Sequence, residues 1–199
     1  MSGFLRVCLV VGSFAFAGAA LADGVPASEF VEAAVSLENP NVTYDGRYRR
    51  IAYPLGDVPA DTGVCTDVIV RAYRLVNIDL QQLVHEDMKA NFAAYPKLWG
   101  LTRTDRNIDH RRVPNLRTFF ARHGKVLSGS DDPNDYEPGD IVTWNLRDKG
   151  SLPHIGIVTD RSSPATGRPL IMHNIGQGQV LEDILFRYRI TGHYRYGLE

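Results

Sequence analysis

The spacing of apolar residues changes period once along this chain, dividing it into a helical first part and a strand-rich second part. Between Pro26 and Pro40, Phe30, Ala33, Ala34 and Leu37 share one helical face, with Ser28 as the expected N-cap. Val64, Val68, Ile69, Ala72 and Leu75 recur at the same spacing in a second helix, which begins among the small and capping types Thr62, Gly63 and Thr66. A third helix, capped by Asp79, carries Leu80, Leu83, Val84, Met88 and Phe92 towards Pro96. A short fourth covers residues 115–123 and stops at Gly124. Asp45-Gly46, flanked by polar and aromatic residues, has the signature of a hairpin turn. From Asp140 the period shortens to two: residues 141–144, 154–158, 169–173 and 180–184 read as strands between Gly, Pro, Asp and Ser turns, and 193–196 closes the sheet. Helices first and a mostly antiparallel sheet afterwards is the α+β pattern rather than an alternating βαβ order.

The first 22 residues stand outside this pattern and read as a signal peptide. Arg6 supplies the positive start, residues 7–17 the apolar stretch, and Ala20-Leu21-Ala22 the small residues of a cleavage site, leaving Asp23 as the mature N-terminus. The expected product is an exported, periplasmic protein of one domain over residues 23–199. The apolar run is shorter than the ~20 residues of a membrane-spanning helix and has no second copy, so no membrane span is expected in the mature protein. Cys8 lies within the run instead of after the cleavage site, which is not the place for a lipidated cysteine. Of 22 Lys and Arg only Arg6 belongs to the leader, so the mature balance is 21 basic against 23 acidic residues, about −2. Such a balance argues against nucleic acid or an anionic membrane as partner.

Loss of the leader leaves Cys65 as the single thiol of a protein exported to an oxidising compartment. An unpaired thiol there is a buried structural cysteine, is paired with another molecule, or is kept for chemistry, and the last needs the rest of a site. Cys65 falls in the first turn of the second helix, where free backbone N–H groups and the dipole favour thiolate. A thiolate that attacks an amide needs a base, usually His, and a polar group to orient that base. His154 starts one strand and His173 ends the next, so antiparallel pairing brings them to one edge; Asn174 competes with His173 for the orienting role. His85, His123 and His193 lack partners at metal-binding spacing, and no metal or organic cofactor is expected. The basic stretch 95–114 offers Arg103, Arg106, Arg111 and Arg112 as carboxylate clamps.

Over roughly residues 48 to 186 the order of motifs resembles the NlpC-type cell-wall endopeptidases of the papain-like cysteine peptidase superfamily. The stretches that carry the likeness are Tyr53-Pro54-Leu55-Gly56, Val64-Cys65-Thr66-Asp67, Pro138-Gly139-Asp140-Ile141-Val142, His154-Ile155-Gly156-Ile157-Val158 and Ile171-Met172-His173-Asn174. The resemblance implies Cys65 as nucleophile, His154 as base, His173 as its orienter, and Tyr53 with its hydroxyl at the oxyanion. It implies a hydrolase that cuts peptide amide bonds in peptidoglycan, with stem peptides as partners. Arg111, Arg112, Asp67 and Asn174 are the expected substrate contacts. The chain departs from the family pattern at Val64, where Asp is usual, at Asp67, where Gly is usual, and in the insertion 95–114. Two rivals use the same residues: an inactive module that binds cell-wall peptides, and an acyltransferase or deacylase.

Overall fold

The structure, a computed structural model, describes residues 24–199, so the proposed leader lies outside the described residues. In chain order the elements are α1 (Ala27–Val35), β1 (Thr43–Tyr44), β2 (Thr62–Gly63), α2 (Cys65–Leu75), α3 (Leu80–Ala90), α4 (Val113–His123), β3 (Lys125–Leu127), β4 (Ile141–Asn145), β5 (Pro153–Ser162), β6 (Pro169–His173), β7 (Val180–Glu182) and β8 (Arg189–Arg195). The last six form one antiparallel sheet in the order β3-β8-β4-β5-β6-β7. The fold is therefore α+β, with the helices gathered at one face of the sheet. Among the described residues no helix is long and apolar enough to cross a membrane.

The sheet buries both faces, and its central strands are accordingly buried over consecutive residues. Ile141, Ile155, Ile157 and Met172 meet the helices, while Val142, Trp144, Val158 and Ile171 pack under Tyr136, Ile184 and Leu185. α2 lies at the centre of the helical side. Val68, Ile69, Ala72 and Tyr73 are fully buried, and the Tyr73 ring sits 4.3 Å from that of Phe30 on α1. Removing such a side chain from water contributes about 1.5–3 kcal/mol, so α2 is held mainly by its apolar residues. Leu75, expected on the buried face, is instead exposed at the helix end.

Two local expectations are corrected. Pro26, not Ser28, occupies the N-cap position of α1, and no side chain caps it. Asp45-Gly46 makes no hairpin; β1 instead pairs in parallel with β2, Thr43 opposite Thr62 and Tyr44 opposite Gly63. The favoured two-residue hairpin turns need a positive φ, and neither Asp45 nor Gly46 has one. The Asp45 carboxylate accepts hydrogen bonds from the Arg47 backbone and from the guanidinium groups of Arg47 and Arg49. The edge strand β3 had no signal beyond Val126 and Leu127. Asp79, by contrast, caps α3 as expected, accepting from the Gln81 N–H at 3.1 Å.

Candidate active site

Cys65 opens α2, and the start of that helix is fixed by Asp67. Its carboxylate accepts the Val64 N–H at 2.7 Å, the return half of a capping box. The Cys65 sulfur faces the backbone N–H groups of Ile155 and Thr66 and the hydroxyl of Tyr44. Only 4 % of the residue is exposed. Burial dominates these contacts and pushes the thiol up to about 12. That overturns the expectation of a thiolate: removal from water outweighs the helix end.

His154 neighbours Ile155 on β5 and is also buried. Its Nε2 lies 3.0 Å from Nδ1 of His173, and Nε2 of His173 lies 3.0 Å from Oε2 of Glu182. Strand register explains this line. Ile157 pairs with Met172, which carries His173 on β6 to the level of Gly156. A Cβ on Gly156 would stand 3.3 Å from the His173 Cβ and 2.5 Å from the Ile171 side chain, so glycine leaves room for the pair. On the far side His173 pairs with Val180, and Glu182, two residues along β7, shares that face. The indole of Trp144 backs His154 at 5.9 Å between ring centroids.

The carboxylate at the end of the line sets every proton in it. A carboxylate only accepts, so His173 donates from Nε2 and presents the lone pair of Nδ1. His154 then donates from Nε2, and its own Nδ1 carries the lone pair. That is the tautomer of a base. Burial, and then the neighbouring His173, push His154 down to about 3. Burial also lowers His173, against the pull of Glu182. At rest the Cys65 thiol and the His154 imidazole are each neutral.

The remaining expected residues fall in different places. Tyr53 is not at the thiol: its ring packs edge-on to His85 at 5.3 Å and under Arg106. The cause is the loop around it, which is tied to α3. Gln81 donates to the Ala52 carbonyl and accepts from the Gly56 N–H, both at 2.8 Å, and Asp79 accepts the Leu55 N–H at 2.7 Å. Tyr44, carried by β1 to the end of β2, stands where Tyr53 was expected. Arg111 and Asp67 are not free for substrate. They form a buried ion pair at 2.8 and 2.9 Å, and Arg111 also donates to the carbonyls of Asp45 and Arg47. Arg112 lies over the Trp99 ring at 4.6 Å. Asn174 is fully buried, its amide 3.5 Å from the Gly63 carbonyl, so it braces the chain leading to Cys65 while His173 meets His154.

Tyr44 and Glu182 are the two residues that sequence reasoning missed. Glu182 sat in a recognised strand, but only the β6–β7 register points it at His173. Tyr44 was hidden by the hairpin reading of the next two residues. No group of three or more His, Cys, Asp or Glu among the described residues is placed to hold a metal ion.

Among solved structures the chain is similar to NlpC2 from Trichomonas vaginalis, with a TM-score of 0.43 and 18% identity, and to NlpC1 from the same organism, with a TM-score of 0.45 and 16% identity. The matches cover 87% and 88% of this chain but 48% and 46% of those chains, about half their length. Among curated proteins it is 56% identical over 153 residues to the "Uncharacterized protein YijF" of Escherichia coli strain K12, covering 77% of this chain and 73% of that protein. Residues 31–196 match the family model described as a domain of unknown function, DUF1287, and the chain belongs to that family.

Proposed function

We propose that this protein is an exported cysteine hydrolase of the papain-like type that cleaves peptide amide bonds in peptidoglycan. The observation that carries the reading is the hydrogen-bonded line Glu182–His173–His154, whose last member is the chain neighbour of Ile155, the residue whose N–H faces the Cys65 sulfur. A satisfied core histidine does not need two further titratable groups to fix its tautomer. The motif resemblance and the leader-like first 22 residues favour a cell-wall substrate in the periplasm.

In this reading Cys65 Sγ attacks the amide carbonyl carbon while its proton passes to Nδ1 of His154. The resting pair is neutral, so the proton leaves during the attack and not before it. His154 then protonates the departing amine, leaving a thioester on Cys65. A water molecule gives its proton to His154 and attacks the thioester, the C–S bond breaks, and the thiol regains the proton. The backbone N–H groups at the start of α2 are the donors for the oxyanion. Tyr44 covers the sulfur, so its side chain must swing aside for substrate to reach it.

The high position of the Cys65 thiol favours a second reading, a module that binds cell-wall peptides without cutting them. Mass spectrometry of muropeptides from purified sacculi separates the two. Mature protein is expected to release new fragments and Cys65→Ala none; intact sacculi with both proteins would leave the binding module.

A further inference from the structure

Of the four arginines expected to clamp carboxylates, Arg111 and Arg112 are engaged elsewhere, but Arg103 and Arg106 converge with Arg50. Arg50, Arg103 and Arg106 line one surface cavity of about 620 Å³, together with Tyr48 and His85. None of the three makes an ion pair among the described residues, whereas Arg47, Arg49, Arg71, Arg74, Arg111 and Arg122 all do. The carboxylate on the cavity wall, Asp105, is already occupied. Its Oδ2 accepts the Tyr48 hydroxyl at 2.9 Å, and its Oδ1 accepts the backbone and side-chain N–H groups of Asn107. Three guanidinium groups against one engaged carboxylate leave the lining two charges positive, in a chain whose formal net charge is −1.

The cavity is also coupled to Cys65 by a short stretch of chain. Residues 44–51 place the Tyr44 hydroxyl on the thiol and, four residues later, Tyr48 in the cavity wall. The stretch is pinned at both ends. Arg111 holds the carbonyls of Asp45 and Arg47, and Asn107 accepts the Ile51 N–H at 3.1 Å. Four extended residues reach at most about 14 Å. With the two side-chain lengths added, a group held in the cavity and a carbonyl at Cys65 stand within the reach of one extended peptide.

We propose that this cavity is an anion subsite in which Arg50, Arg103 and Arg106 hold a carboxylate of the substrate peptide, a few residues from the bond at Cys65. Guanidinium forks match a carboxylate with two parallel hydrogen bonds, and such charge-assisted bonds are about twice as strong as neutral ones. The inference rests on the peptide-hydrolase reading for its ligand, but its test does not require turnover.

The experiment is calorimetric titration of the Cys65→Ala protein with an N-acetylated stem tripeptide and with its C-terminal and side-chain carboxamide form. The acid is expected to bind at least about tenfold more tightly than the amide, and the preference to vanish in Arg103→Gln/Arg106→Gln. Arg161→Gln, an exposed arginine on β5, is expected to leave it unchanged. Equal affinity for acid and amide would overturn the subsite, as would a preference that survives the double substitution. Inorganic phosphate bound through the same arginines without any preference between the peptides would overturn the carboxylate as ligand. Arginine-dependent acid binding in a protein that leaves sacculi uncut would uphold the subsite and count against the hydrolase alone.

Discussion

The site has two halves built on different principles. The sheet half, His154, His173 and Glu182, is a single hydrogen-bonded line on three adjacent strands. The helical half, Cys65 with the chain over it, is held by charge: the buried Arg111–Asp67 pair ties residues 45–47 to the first turn of α2. Unpartnered polar atoms gather behind that second half, at His85 Nδ1, Asp109 Oδ1, His110 Nδ1, Arg112 Nη1 and Asn115 Oδ1. Burial pushes Asp109 up to about 6 and His110 down to about 3, as expected for polar groups poorly compensated in an apolar setting. The base is thus pre-organised by strand register, while access to the nucleophile depends on a strap held electrostatically.

The largest effect should come from cutting the strap. Arg111→Met leaves the Asp67 carboxylate buried without its partner, a change that typically costs about 3–5 kcal/mol. Urea unfolding of the variant is expected to show a loss of that size, and the Cys65 thiol to become accessible in the folded state. A loss below about 1 kcal/mol would mean that other contacts hold the strap, and the contrast between the halves would fail.

These halves also differ in how far the sequence disclosed them. The sheet half was legible because strands announce themselves by a period of two, and two histidines at the meeting ends of neighbouring strands are juxtaposed by antiparallel pairing alone. Glu182 escaped because the offset between β6 and β7 is set by the turn 174–179 and not by any residue of the strand. The helical half was legible only in α2 itself. Its cover is irregular chain whose course is decided by long-range polar contacts, such as Gln81 to Ala52 and Arg111 to Asp45, which leave no periodic trace. The same contacts explain why Tyr44 and Tyr53 exchanged places, and why Arg111 proved to be a tie and not a clamp. The thiol was misjudged for a related reason: the helix end was visible in the sequence, and the depth of burial was not.

Reactivity of Cys65 tests that depth. A thiol pushed from its usual 9 to about 12 holds its proton at neutral pH, so thiolate is scarcer, not more plentiful, than in a free cysteine. Iodoacetamide at pH 7 is expected to modify Cys65 at least about 100-fold more slowly than a cysteine peptide, with the rate rising about tenfold per pH unit and no plateau below pH 10. Tyr44→Ala should speed it by opening the cover. A rate that levels off below pH 7 would reveal a thiolate–imidazolium pair and restore the helix-end argument.

Glu182→Gln bears on the sheet half and should have the smallest effect. Gln offers both an acceptor and a donor, so its amide N–H₂ can reverse the line: His173 would then accept at Nε2 and donate from Nδ1, and His154 would have to accept at Nε2 and carry its proton on Nδ1. That proton faces away from the role of base. Because Glu182 is half-buried at the sheet edge and Gln is nearly isosteric, stability should change by less than about 1 kcal/mol. Fragment release from sacculi should nevertheless fall about tenfold in kcat with KM little changed, since only the fraction with the correct tautomer turns over. Glu182→Asp, which keeps an acceptor-only group, should recover part of the rate. If Gln and Asp variants both matched the parent protein, the carboxylate would not be setting the protons, and the sheet half would be no better organised for catalysis than the strap that covers Cys65.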